Sequence, residues 1–183
     1  CWTLHGRLMA AYWGVELGRR CRFFGRTYFR REVGGSIVIG EDCQLGSAVW
    51  SNLAGLDRPC MISTLAESAR IRIGPRSGLS GTVVAAAESI EIGADVMCGA
   101  NVTICDTDWH DPDPARRRRL GPSAPVVIED NVWLGMGVTV LKGARVGRDS
   151  VIGAGSLVTG SIPPGTIAAG LGKFSNGEIR LAS

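Results

Sequence analysis

The chain has 183 residues, a formal net charge of +3, 45% hydrophobic residues, 20% charged residues and 26 glycines. Its length suits one domain, and its hydrophobic content excludes a disordered polar chain. The near balance of charge excludes a global basic field for nucleic acid, no apolar run approaches the ~20 residues of a membrane helix, and the glycines, at roughly twice average usage, follow no collagen triplet.

In chain order, residues 1–14 are expected to form a short apolar helix (Trp2, Leu4, Leu8, Met9, Tyr12) that caps one end of the fold. Arg7, Arg19 and Arg20 flank only short apolar stretches, so no signal peptide is expected. His5 lies in this cap, where a solvated or capping role is the default.

From residue 15 to 169 one period organises the sequence. Ile128, Leu134, Val140, Val146, Ile152 and Val158 are spaced by six without a break. The same phase recurs in Ile92, Cys98 and Ile104; in Ile73, Leu79 and Ala85; in Ile39 and Leu45; and in Leu17, Phe23 and Phe29. A period of six fits neither an amphipathic helix nor a long strand. Branched residues favour strands, and Gly, Asn and Asp favour turns. Stacked coils of short strands then give an all-β parallel β-helix of about six coils. Glycines 40, 46, 74, 93, 135, 147 and 153 follow core residues and are expected to supply corners with positive φ. Loops interrupt the repeat at 51–61 and 105–127, and residues 170–183 form a C-terminal tail. Six cysteines without a CxxC motif, in a chain of this size, are read as reduced, buried thiols.

The longer loop carries the candidate chemistry, because a long protruding segment on a rigid scaffold is usually functional or disordered. His110 sits in it among Asp106, Asp108, Trp109 and Asp111. A neutral imidazole can take a proton from an alcohol as that alcohol attacks a thioester. A carboxylate or a backbone carbonyl can hold the other ring nitrogen, and the sequence does not choose among Asp106, Asp108 and Asp111. Arg116 to Arg119 fit either a solvated face or an anionic partner. Trp109 fits stacking on a sugar ring or packing. A zinc site of the three-histidine kind is not expected from a chain with two histidines, and no metal is assigned.

Several runs carry a resemblance. They are Gly-Ala-Asn-Val-Thr-Ile (99–104), Cys-Asp-Thr-Asp-Trp-His (105–110), Asp-Pro-Asp (111–113) and Asp-Asn-Val-Trp-Leu-Gly (130–135). Gly-Ala-Arg-Val-Gly (143–147), Val-Ile-Gly-Ala-Gly-Ser-Leu-Val-Thr (151–159) and Ile-Pro-Pro-Gly-Thr (162–166) continue them. Over residues 15 to 170 the chain resembles the hexapeptide-repeat sugar O-acetyltransferases, the maltose, galactoside and nodulation-factor group. Within it the chain is most similar to the capsule and exopolysaccharide branch.

The resemblance implies a left-handed helix and transfer of acetyl from acetyl-CoA to a sugar hydroxyl, with His110 as general base. It implies a homotrimer with sites between subunits, acting on a sugar or a nucleotide- or lipid-linked sugar; the reduced thiols, for their part, lead to an expectation of the cytoplasm. It places Trp133, Gly135 and Met136 near the acetyl and pantetheine arm, with an oxyanion donor near Gly135 to Met136. Ala154 and Thr159 would border the CoA groove, Lys173 would remain for CoA phosphates, and Ser80 and Asn101, with Trp109, would lie on the acceptor side. Departures are Gly160 where a basic residue is common, the tail from Gly170, and Ala85 to Ala87 where galactoside enzymes carry polar residues. An N-acyltransferase on an amino sugar and a non-catalytic binding solenoid are the alternative readings.

Overall fold

The computed structural model describes residues 1–172, the last two by backbone alone. It opens with α1 (Trp2–Tyr12), and 21 short strands come after it in seven coils of three. The first coil is β1 (Glu16–Leu17), β2 (Arg22–Phe24) and β3 (Tyr28–Arg30); the second β4 (Ser36–Ile39), β5 (Gln44–Gly46) and β6 (Met61–Thr64). The third is β7 (Arg70–Ile73), β8 (Gly78–Ser80) and β9 (Val83–Ala86); the fourth β10 (Ser89–Ile92), β11 (Met97–Ala100) and β12 (Thr103–Cys105). The fifth is β13 (Val126–Ile128), β14 (Trp133–Leu134) and β15 (Thr139–Val140); the sixth β16 (Arg145–Val146), β17 (Val151–Ile152) and β18 (Leu157–Val158). The seventh is β19 (Ser161–Ile162), β20 (Ile167–Ala168) and β21 (Leu171–Gly172).

Each strand pairs in parallel with the strand three places on, giving three seven-stranded sheets and a three-sided prism. The register stacks the hexad residues in columns: Ile73, Ile92, Ile128, Val146 and Ile162 on the first face, and Leu79, Cys98, Leu134, Ile152 and Ala168 on the second. These columns are buried and form one continuous core.

The spacing of six misplaces two core residues. Val84, not Ala85, stacks on Ile104, so that side is reached in five residues. Ile162 follows Val158 by four and stacks on Val146, which opens a seventh coil where six were expected. The tail accordingly starts later than residue 170, since β21 still pairs with β18. Of the expected loop boundaries, 105–127 contracts to 106–125, and the other loop spans 47–60 with a short 3-10 turn, Val49–Ser51.

The glycines that follow core residues have a different role from the one expected. None of the seven has positive φ. A Cβ at Gly40 would lie 2.6 Å from Pro75 N, and one at Gly135 would lie 2.7 Å from Ala154 N. They keep stacked coils close together. Positive φ falls two residues later, at Asp42, Arg76, Asp95 and Asp149 on the first corner and at Gly137 and Gly155 on the second, and Asn131 takes it at the corresponding place after Glu129.

The cap helix packs on the first coil through its small residues, with Met9 partly buried beside them. Gly6 and Ala10 are buried against the first coil, because a Cβ at Gly6 would collide with the Phe23 ring. Leu4, Leu8 and Tyr12 point outward. Thr3 Oγ1 accepts from Phe23 N at 3.2 Å, and Gly14, at φ 63°, ends the helix. Five of the six free cysteines are buried, Cys1 being exposed, and burial pushes the Cys98 thiol up to about 12.

Candidate active site

The long loop leaves the third corner, between the third face and the next first face, and closes on itself. Asp108 N donates to Pro122 O (3.2 Å), Asp111 N to Arg119 O (3.0 Å) and Ala124 N to Asp106 O (2.9 Å). Its root is pinned to the coil beside it. The buried Asp106 carboxylate accepts from Ala87 N at 2.6 Å and Glu88 N at 2.8 Å, which satisfies corner donors that would otherwise lack partners. Desolvation nevertheless raises its pKa above the ordinary carboxylate value. Ser123 Oγ donates to Glu88 Oε2 at 3.1 Å, and Lys142 pairs with Asp108.

At the loop's far end His110 Nδ1 lies 2.9 Å from the Arg117 carbonyl oxygen. A carbonyl only accepts, so Nδ1 is the donor in this bond, and in the neutral ring that tautomer puts the lone pair on Nε2. None of the three aspartates orients the ring. Asp106 is taken by backbone N–H groups, Asp108 by Lys142, and Asp111 accepts from Asp113 N (2.9 Å) with Arg116 3.4 Å away. Trp109 is half exposed at φ 63°, and across it His110 N donates to Asp108 O at 2.6 Å. Such a tight turn on a bulky residue is strained, and strain of this kind collects at functional sites. His110 and the four arginines line an open concavity of about 610 Å³.

The other expected site residues lie elsewhere on the prism. Ser80 ends β8, and Asn101, Gly135, Met136 and Ala154 sit at the second corner. Trp133 points outward on the second face, and Thr159 sits at the third corner, apart from Ala154. Lys173 lies outside the described residues. Asn101 is engaged by the shorter loop: its Oδ1 accepts from Asp57 N (3.0 Å) and its Nδ2 donates to Gly55 O (3.2 Å). It anchors that loop, as does Arg58, which donates to Gly81 O, Asn101 O and Thr103 Oγ1. Gly135 N–H donates to Ile152 O at 2.8 Å and is not free for an oxyanion; the Met136 N–H has no partner among the described residues. Ala85 and Ala86 are core, and Ala87 offers its N–H to Asp106.

Three neighbours of Trp133 escaped sequence reasoning. Met97, Trp133, Val151 and Ile167 are in register down the second face, and each precedes its inward residue by one. Met97, Trp133 and Ile167 are at least half exposed, and with Met136 they make an apolar strip unusual for a solvated face. The signal was an apolar residue on both sides of the pleat where a solvated coil alternates.

Residues 125–160 match the family described as bacterial transferase hexapeptide (six repeats). Over these residues the chain carries the hexapeptide repeat of the bacterial transferases. It is 40% identical to the galactoside O-acetyltransferase of Lactococcus lactis subsp. lactis (strain IL1403) over 133 residues, 72% of this chain and 58% of that protein. It is also 40% identical to the galactoside O-acetyltransferase of Escherichia coli (strain K12) over 83 residues, 45% of this chain and 41% of that one. Among solved structures, a maltose O-acetyltransferase from Clostridium difficile 630 superposes with TM-score 0.51 at 27% identity, covering 85% of this chain and 64% of its own. The matches therefore span roughly two fifths to three fifths of the curated relatives' length. The architecture of this hexapeptide-repeat chain is the left-handed parallel β-helix. Among its described residues no three His, Cys, Asp or Glu side chains come together to hold a metal, and no helix is long and apolar enough to cross a membrane.

Proposed function

We propose that the chain is an acetyl-CoA-dependent O-acetyltransferase acting on a sugar hydroxyl, with His110 as general base. The observation that carries this reading is the bond from Nδ1 to the Arg117 carbonyl, which in the neutral ring puts the lone pair on Nε2, in a residue that lines a concavity of ligand size. Nε2 takes the proton of the acceptor hydroxyl as its oxygen bonds to the thioester carbonyl carbon. The tetrahedral adduct expels CoA thiolate, and the imidazolium returns the proton to that sulfur. The Met136 N–H is the donor available to the oxyanion, and the apolar strip of Met97, Trp133 and Met136 suits the pantetheine arm. The galactoside and maltose O-acetyltransferases among its relatives support the reaction class.

The base and these thioester-facing groups lie on different corners of one chain, a whole face apart. A site holding both is then completed by a second copy, which fits the homotrimer that the family resemblance implies. Incubating the protein with acetyl-CoA and a panel of sugars, amino sugars and sugar nucleotides tests the reading. Acceptor-dependent CoA release with a product cleaved by hydroxylamine is expected. A hydroxylamine-resistant amide would transfer the site to amine acceptors, and no acetyl-CoA binding by the folded protein would make the solenoid a binding module.

A further inference from the structure

Four consecutive arginines share the concavity of His110, and the loop's own charges account for only one of them. Arg116 sits 3.4 Å from Asp111 and 3.3 Å from Asp113. Lys142 pairs with Asp108, and Asp106 is buried on backbone donors. Every carboxylate from 106 to 113 thus has its partner without Arg117, Arg118 or Arg119. The Arg117 guanidinium reaches only the Pro112 carbonyl, at 3.4 Å. The side chains of Arg118 and Arg119 meet no hydrogen-bond or ion-pair partner among the described residues. Their backbone is nonetheless fixed, since Arg119 N donates to Arg116 O (2.8 Å) and Arg119 O accepts from Asp111 N (3.0 Å). A closed turn therefore presents two guanidiniums, uncompensated, in the same hollow as the base.

We propose that Arg118 and Arg119 form an anion subsite for the acceptor, so that the sugar acetylated carries a carboxylate or phosphate group close to the attacking hydroxyl. The proposal rests on His110 acting on that hydroxyl. Guanidinium binds both anions through two parallel N–H donors, and a preformed turn lowers the ordering cost of doing so. Connectivity assigns the anion to the acceptor and not to CoA. The reacting hydroxyl must touch Nε2, whereas the phosphates of CoA hang at the far end of the pantetheine arm from the thioester. An anion held in this concavity beside the hydroxyl belongs to the molecule that carries the hydroxyl.

The test compares matched acceptors: a hexose with its uronate, N-acetylglucosamine with its 1-phosphate and its nucleoside diphosphate form, and lactose with a sialylated lactose. CoA release is followed for the wild type, Arg118→Ala/Arg119→Ala and Arg118→Glu/Arg119→Glu, each checked for folding by circular dichroism. In at least one pair the anionic member should exceed its neutral partner tenfold or more in kcat/KM, less so at high salt. The double alanine variant should collapse that ratio through the acceptor KM, with the KM for acetyl-CoA unmoved, and the glutamate variant should invert it. A panel in which no anionic acceptor outperforms its neutral partner overturns the proposal. So does a preference that survives both variants, or a rise confined to the acetyl-CoA KM, which would give the arginines to CoA. His110→Ala separates the two claims. If it retains turnover while the arginine variants shift the preference, the base assignment falls and the subsite stands; the reverse pattern removes the subsite alone.

Discussion

Gly121 shows how closely the loop is shaped around its histidine. A Cβ there would collide with the His110 carbonyl oxygen and lie 2.9 Å from the Asp108 Cβ. Gly121→Ala is therefore expected to displace His110 while leaving the solenoid, which the loop only decorates, intact. Misplacing a catalytic group by about 1 Å can cost on the order of 100-fold in kcat. Stopped-flow or steady-state CoA release should read that loss alongside a melting temperature within a few degrees of wild type. His110 itself was legible in the sequence, as the one histidine where the repeat breaks. Its partner was not. Any residue has a carbonyl, so the Arg117 oxygen leaves no mark in side-chain identity, and the three nearby aspartates drew attention to themselves for reasons that proved local: a root anchor, a lysine pair and a turn. Asn101 stood out in the sequence as a polar corner residue, and nothing there marked that its amide holds the neighbouring loop.

At the scale of the strand and corner, two kinds of glycine do different work. Gly74 has φ outside the left-handed region, and a Cβ on it would lie 2.5 Å from Ala94 N of the next coil. Gly137 has φ 68° and open space around its Cβ position. Gly74→Ala should therefore force adjacent coils apart, costing about 1–3 kcal/mol or more, as overpacking does. Gly137→Asn should stay within about 0.5 kcal/mol of wild type, since asparagine tolerates this conformation. Asn131 already adopts it at φ 57°. Denaturant midpoints of the two variants check the contrast, and equal losses would contradict it. The hexad made most of the coil register readable because each inward residue must meet its counterpart one coil away. It failed where a side was shortened. Leu79 to Val84 takes five residues and Val158 to Ile162 takes four, so a fixed period of six assigned the wrong inward residue in one place and lost a coil in the other.

Across the whole molecule, the left-handed prism explains why the candidate site divides between corners. Stacking fixes every residue to a face, so His110 at the third corner and Met136 at the second stay apart in one chain. The sequence order hides this, because residues 110 and 136 follow each other within one repeat of the coil pattern. A face with an exposed Met97–Trp133–Ile167 strip and a corner bearing a base are surfaces that association would bring into use. The proposed chemistry depends most heavily on one side chain, and its direct readout is the acceptor-dependent turnover of acetyl-CoA by His110→Ala, with circular dichroism and sedimentation matched to wild type. A general base at this position predicts a fall in kcat of about 10²–10⁴-fold at an unchanged KM for acetyl-CoA. Turnover near the wild-type rate by that folded variant would contradict it.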